Sequence, residues 1–120
     1  MIFKKFFRSF AFASKGIASA FRSQFNLRLH ILIAVIVLAF SAYFRLSPIE
    51  WCIVLFCIAS VIAAELLNTS IEITADLAMP EHHQKAGMSK DIAAAAVLVV
   101  SFVSACIGCI IFGPRVFNLI

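Results

Sequence analysis

Apolar positions recur at helical spacing near the start of the chain and then merge into long uncharged runs. Phe3, Phe6, Phe7, Phe10, Ile17 and Phe21 fall within about 100° of arc, and Lys4, Lys5, Arg8, Lys15 and Arg22 take the other side. This predicts an amphipathic helix over residues 1–27 lying in a membrane interface, its Phe stripe at the acyl boundary and its cations among lipid phosphates. A cleaved signal peptide would need one unbroken apolar core, and this segment has none. Residues 29–44 are apolar except for His30 and Ser41. As a helix they reach about 24 Å, enough to span once flanking residues snorkel. Arg45 to Glu50 reads as a turn, with Pro48 opening the next helix. A second membrane helix over 51–79 begins at an interfacial Trp51, stays uncharged through Ala64, then carries Glu65, Asn68, Glu72 and Asp76. After a polar loop from Glu81 to Ser89, a third membrane helix covers 91–112, and Gly113-Pro114 is expected to stop it. The predicted fold is an all-α membrane protein, one domain over 1–120, with a surface helix followed by three transmembrane helices.

Composition supports the same class. Hydrophobic residues make up 63% of the chain and charged residues 13%, with a mean hydropathy of +1.06; soluble domains run near about 45–50% and about 25%. No single buried core absorbs that much apolar surface, so lipid must solvate most of the chain. The net charge of +4 is concentrated early, with Lys4, Lys5, Arg8, Lys15, Arg22 and Arg28 all ahead of the first acidic residue, Glu50. Cations interleaved with Phe suit an anionic membrane surface, and no nucleic acid partner is expected. Lys85 and Lys90 make the second loop basic, whereas Arg45 and Arg115 stand alone in the first turn and the tail, so positive-inside counting puts the N-terminus in the cytoplasm. Cys52, Cys57, Cys106 and Cys109 all lie in apolar runs and read as small packing residues; the lone C-x-x-C at 106–109 has no second pair.

Candidate chemistry is concentrated at the end of the second membrane helix. Glu65, Asn68, Glu72 and Asp76 are spaced by three, four and four, within about 80° on one helical face. An ionisable group at membrane depth costs on the order of 2.5–3.5 kcal/mol, so such groups face a protein interior or a cavity. Two carboxylates with an amide between them suit phosphoryl transfer. One accepts the proton of an attacking hydroxyl, and the other holds Mg²⁺ through oxygen while phosphates fill further positions. No P-loop and no kinase glycine loop is present. The same stripe also suits plain helix association, since polar side chains bond across spans.

The run Glu65-Leu66-Leu67-Asn68-Thr69-Ser70-Ile71-Glu72, then Asp76, Pro80-Glu81-His82-His83 and Lys90-Asp91-Ile92-Ala93-Ala94-Ala95-Ala96-Val97, resembles the signature region of the small bacterial integral-membrane diacylglycerol kinase and undecaprenol kinase family. Lys15-Gly16-Ile17 and Asn26-Leu27-Arg28-Leu29-His30 resemble it too, the undecaprenol kinase branch especially. The resemblance implies a homotrimer in the bacterial inner membrane, with sites built between subunits, transferring the γ-phosphate of ATP with Mg²⁺ to a membrane lipid alcohol. That alcohol would be diacylglycerol, giving phosphatidic acid, or undecaprenol, giving undecaprenyl phosphate. Carried over by motif, Glu65 resembles the catalytic general base and Glu72 a metal-binding carboxylate. Asn68, Asp76, Lys90 and Asp91 resemble the surrounding nucleotide site, and Glu81 and His83 match a nucleotide-contacting stretch. One position departs from the pattern: the family's second metal-binding Glu falls on Gln24, whose amide oxygen still coordinates but brings no charge. The rival class is a non-catalytic lipid-binding or assembly membrane protein derived from this family. His30 reads as an interfacial polar anchor, and His82 with His83 lacks further ligands for a metal site.

Overall fold

A computed structural model describes residues 1–120 as four helices: α1 Ile2–Ser23, α2 Phe25–Tyr43, α3 Pro48–Ala78 and α4 Gln84–Phe117. No strand is present, and α2, α3 and α4 are each long and apolar enough to cross a membrane. The predicted boundaries shift in three places. The first is at Gln24, whose extended backbone (φ −113°, ψ 111°) ends α1 and starts the first membrane helix at Phe25 rather than at 29. Its N–H still bonds Ala20 O, and its carbonyl accepts from Arg28 N–H. The break therefore leaves both helix ends hydrogen-bonded without needing a Gly or Pro to mark it. The Phe stripe of α1 stays uncovered by protein, as an interfacial helix requires, while Ala20 and Leu27 are buried at the α1–α2 junction.

α2 closes with a Schellman turn. Arg45 adopts the left-handed region (φ 52°), Leu46 N–H bonds Ser41 O at 3.2 Å, and Arg45 N–H bonds Ala42 O at 3.3 Å. Leu46 then inserts into a cluster with Val54 and Ile111, flanked by Phe44, Trp51 and Phe112. Ser47 and Glu50 form a reciprocal capping box around Pro48 at the first position of α3.

The second shift is at the start of α4, which begins at Gln84 rather than at 91. His83 acts as its N-cap, Nδ1 accepting from Lys85 N–H at 3.1 Å. The expected polar loop shrinks to the few residues between Ala78 and Gln84. The third is at its end, where the helix continues through Pro114 to Phe117 instead of stopping at Gly113-Pro114. Pro114 lacks the N–H that would bond Ile110 O, yet the turn beyond it stays bonded: Asn118 N–H bonds Pro114 O, and the Arg115 guanidinium bonds Ile111 O at 2.7 Å. The same guanidinium donates to Glu50 Oε1 at 2.9 Å, tying the C-terminal turn to the start of α3.

α3 packs most extensively on α4, and α2 lies against α3. α2 meets α4 through aromatic rings at one end, Phe40 and Phe44 against Phe112. Between α2, α3 and α4 runs a cavity of about 270 Å³ that reaches from Phe112 at the aromatic end to His30, with Ile33, Val61, Ile62 and Ser104 among its lining. Only 11 of 120 residues are buried. A single copy thus leaves most of its apolar surface for lipid or for other chains.

Candidate functional site

The polar face of α3 grades from dry to wet. Glu65 is 2% exposed, Asn68 and Thr69 are buried beside it, Glu72 is half-buried, and Asp76 reaches solvent. Helical spacing produces the stripe, and the packing of α1 and α2 over its upper end produces the gradient. Thr69 Oγ1 donates to Glu65 O at 2.9 Å, so its hydroxyl is satisfied within the helix.

Asn68 Nδ2 donates to Glu72 Oε1 at 3.1 Å, which fixes the amide. Its Oδ1 is then buried with no hydrogen-bond partner. An orphaned buried oxygen costs on the order of 1–3 kcal/mol, and that oxygen lies one turn from a carboxylate. The Glu72 carboxylate and the Asn68 amide oxygen are hard donors of the type a Mg²⁺-class cation takes, with phosphate and water completing its shell. No group of three His, Cys, Asp or Glu side chains converges in one copy.

Near the α3–α4 loop, Lys90 in the second turn of α4 pairs with Asp76 in the last turn of α3. The pair is largely exposed and holds a cation near the wet end of the stripe. One chain therefore gathers Glu65, Asn68 and Glu72 in one group and Asp76 with Lys90 in another. Gln24 sits half-buried at the α1–α2 break, and Glu81 and Asp91 are exposed; none of the three pairs with the stripe. His83 is exposed and engaged through Nδ1 as the α4 cap.

Sequence reasoning missed the partner of Glu65. His30 Nε2 on α2 lies 3.9 Å from Glu65 Oε2, with the imidazole 19% exposed. His30 lies 16 residues before Leu46 and Glu65 lies 19 after it, so no count from the turn would have paired them. A second feature lies between α1 and α3, where Gly16, Ser19, Ser23, Thr69, Ser70 and Thr74 line an open groove of about 490 Å³.

The comparisons with known proteins cover this whole arrangement. A protein-family profile described as prokaryotic diacylglycerol kinase matches residues 11–112, a stretch that includes every residue from Gln24 to Asp91. The undecaprenol kinase of Bacillus subtilis (strain 168) is 41% identical over 111 residues, 92% of this chain and 90% of the relative. The diacylglycerol kinase of Synechocystis sp. (strain ATCC 27184 / PCC 6803 / Kazusa) is 32% identical over 108 residues, 88% of this chain and 62% of the relative. That of Helicobacter pylori (strain ATCC 700392 / 26695) is 31% identical over 98 residues, 81% and 76% of the two chains.

Proposed function

The chain belongs to the prokaryotic diacylglycerol kinase family of lipid kinases, and on that premise we propose that it transfers the γ-phosphate of ATP to the hydroxyl of a membrane lipid alcohol at the cytoplasmic face of a bacterial inner membrane, with its own N-terminus in the cytoplasm. One observation carries the reading. Glu65 is 2% exposed where an apolar span ends, and Glu72 and Asp76 follow it along the same face into water. A lipid hydroxyl arriving from the bilayer and a nucleotide arriving from solvent meet along that face.

Each residue has a defined task in this reading. Glu65 accepts the hydroxyl proton as the lipid oxygen forms its bond to the γ-phosphorus. The bond from that phosphorus to the β–γ bridging oxygen breaks, ADP leaves with the electron pair, and the proton on Glu65 is released to water. Glu72 and Asn68 Oδ1 would hold Mg²⁺, which when bound neutralises charge on the phosphates. Lys90 offers a cation to the phosphates, kept in reach by Asp76. Asp91, Glu81 and His83 surround the nucleotide, and Gln24 takes the second metal-facing position with an uncharged amide. A homotrimer completes the site, since one copy leaves the lower stripe open and most of its apolar surface uncovered.

Undecaprenol is the favoured acceptor, on the 41% identity to the Bacillus subtilis relative and on the segment around His30 that resembles that branch. The test is transfer of radiolabelled γ-phosphate from ATP, with Mg²⁺, to undecaprenol and diacylglycerol offered separately to the full chain in bilayers. Label is expected on undecaprenol and is expected to vanish in Glu65→Gln with assembly intact. Label on diacylglycerol alone would reassign the substrate. Retained turnover in Glu65→Gln would remove Glu65 from the mechanism, and no label on either lipid would favour a non-catalytic lipid-binding or assembly protein.

A further inference from the structure

We infer that His30 is the positioning residue for Glu65: its Nε2–H holds Oε2 of the carboxylate so that Oε1 stays aimed at the acceptor hydroxyl. The inference rests on the reading of Glu65 as the base and adds the group that orients it. The base of a proton-transfer site is commonly fixed by a third side chain, and a buried Glu on a long flexible stem needs such a fix. In this chain the ionisable partner brought to the Glu65 carboxylate is His30.

Three observations argue for a task beyond anchoring. The imidazole is 19% exposed and sits one turn inside α2, whereas an interfacial anchor keeps its polar edge among headgroups. Its other side borders the predominantly apolar α2–α3–α4 cavity, next to Ile33 and Ala34, where water and phosphate are poor competitors for its N–H. And the separation of 3.9 Å is longer than a hydrogen bond yet within ion-pair range. Such contacts are often long in an unliganded site and tighten once substrate binds. An Nε2–H supplies one donor to Oε2 and leaves Oε1 free, so Glu65 remains able to take a proton. No covalent step passes through His30.

The experiment is a kinetic cycle on the full chain in bilayers, following phosphate transfer from ATP with Mg²⁺ to undecaprenol and to diacylglycerol. His30→Ala should lower kcat by about 10²-fold, the scale of a base displaced by an ångström, with KM for ATP unchanged. His30→Gln, which keeps an amide N–H at similar reach, should recover about a tenfold share of that loss. In Glu65→Asp, whose carboxylate is withdrawn by one methylene, His30→Ala should cost nothing further, because the contact is already broken. Wild-type kcat in His30→Ala, a loss confined to KM, no recovery in His30→Gln, or an undiminished loss in the Glu65→Asp background would each overturn the inference. Failure of the base assignment shows separately, as full turnover in Glu65→Gln.

Discussion

At Asn68 the amide nitrogen is bonded to Glu72 and the oxygen is left bare inside the protein. A residue kept only for stability would not carry that cost, and Leu at this position removes the orphan while conserving volume. Asn68→Leu is therefore expected to melt no lower than wild type while phosphate transfer falls at least about tenfold, the scale of one lost charge-assisted contact. A fall in thermal midpoint with activity kept would show the reverse, a structural amide. Gln24 poses the complementary case, an uncharged donor where the family pattern has a carboxylate. Gln24→Glu should shift half-maximal activity to lower Mg²⁺ concentration; an unchanged titration would mean that the amide already suffices or that Gln24 does not face the metal. The α3 group could be read from sequence because four polar residues at helical spacing share a face whatever the rest of the molecule does. The His30–Glu65 pair could not, because it depends on how two helices are registered across a turn.

Among the elements, the α2–α3 turn concentrates strain and support in a few residues. Arg45 holds a left-handed backbone that glycine adopts freely, while Ser47, Glu50 and Arg115 brace the helix that follows. Arg45→Gly should stabilise the protein by about 1 kcal/mol, read as a higher thermal midpoint in detergent, with phosphate transfer unaffected. Arg115→Ala should lower the midpoint, since it releases both the Ile111 carbonyl and Glu50; an unchanged midpoint would reduce the clasp to a surface contact. Apolar runs located all three membrane helices, because the bilayer demands them. Their ends were less legible. Gln24 breaks the helix without a breaker residue, His83 caps α4 although His is a rare N-cap, and Pro114 fails to stop a helix that stays bonded beyond it.

For the molecule as a whole, 11 buried residues among 120 leave an apolar surface that lipid or further copies of the chain must cover. Native mass measurement in mild detergent should give three chains per particle, and a monomer that transfers phosphate at full rate would refute the trimer. The fastening of the bundle is lopsided. Phe40, Phe44 and Phe112, the Schellman turn and Arg115 gather one end, while the cavity between α2, α3 and α4 is found beside His30. Joined at the heel and hollow at the tips, such a body resembles tweezers. If greasy substrates reach Glu65 sideways through that hollow, stiff or tightly packed lipid should slow phosphate transfer while leaving nucleotide arrival untouched.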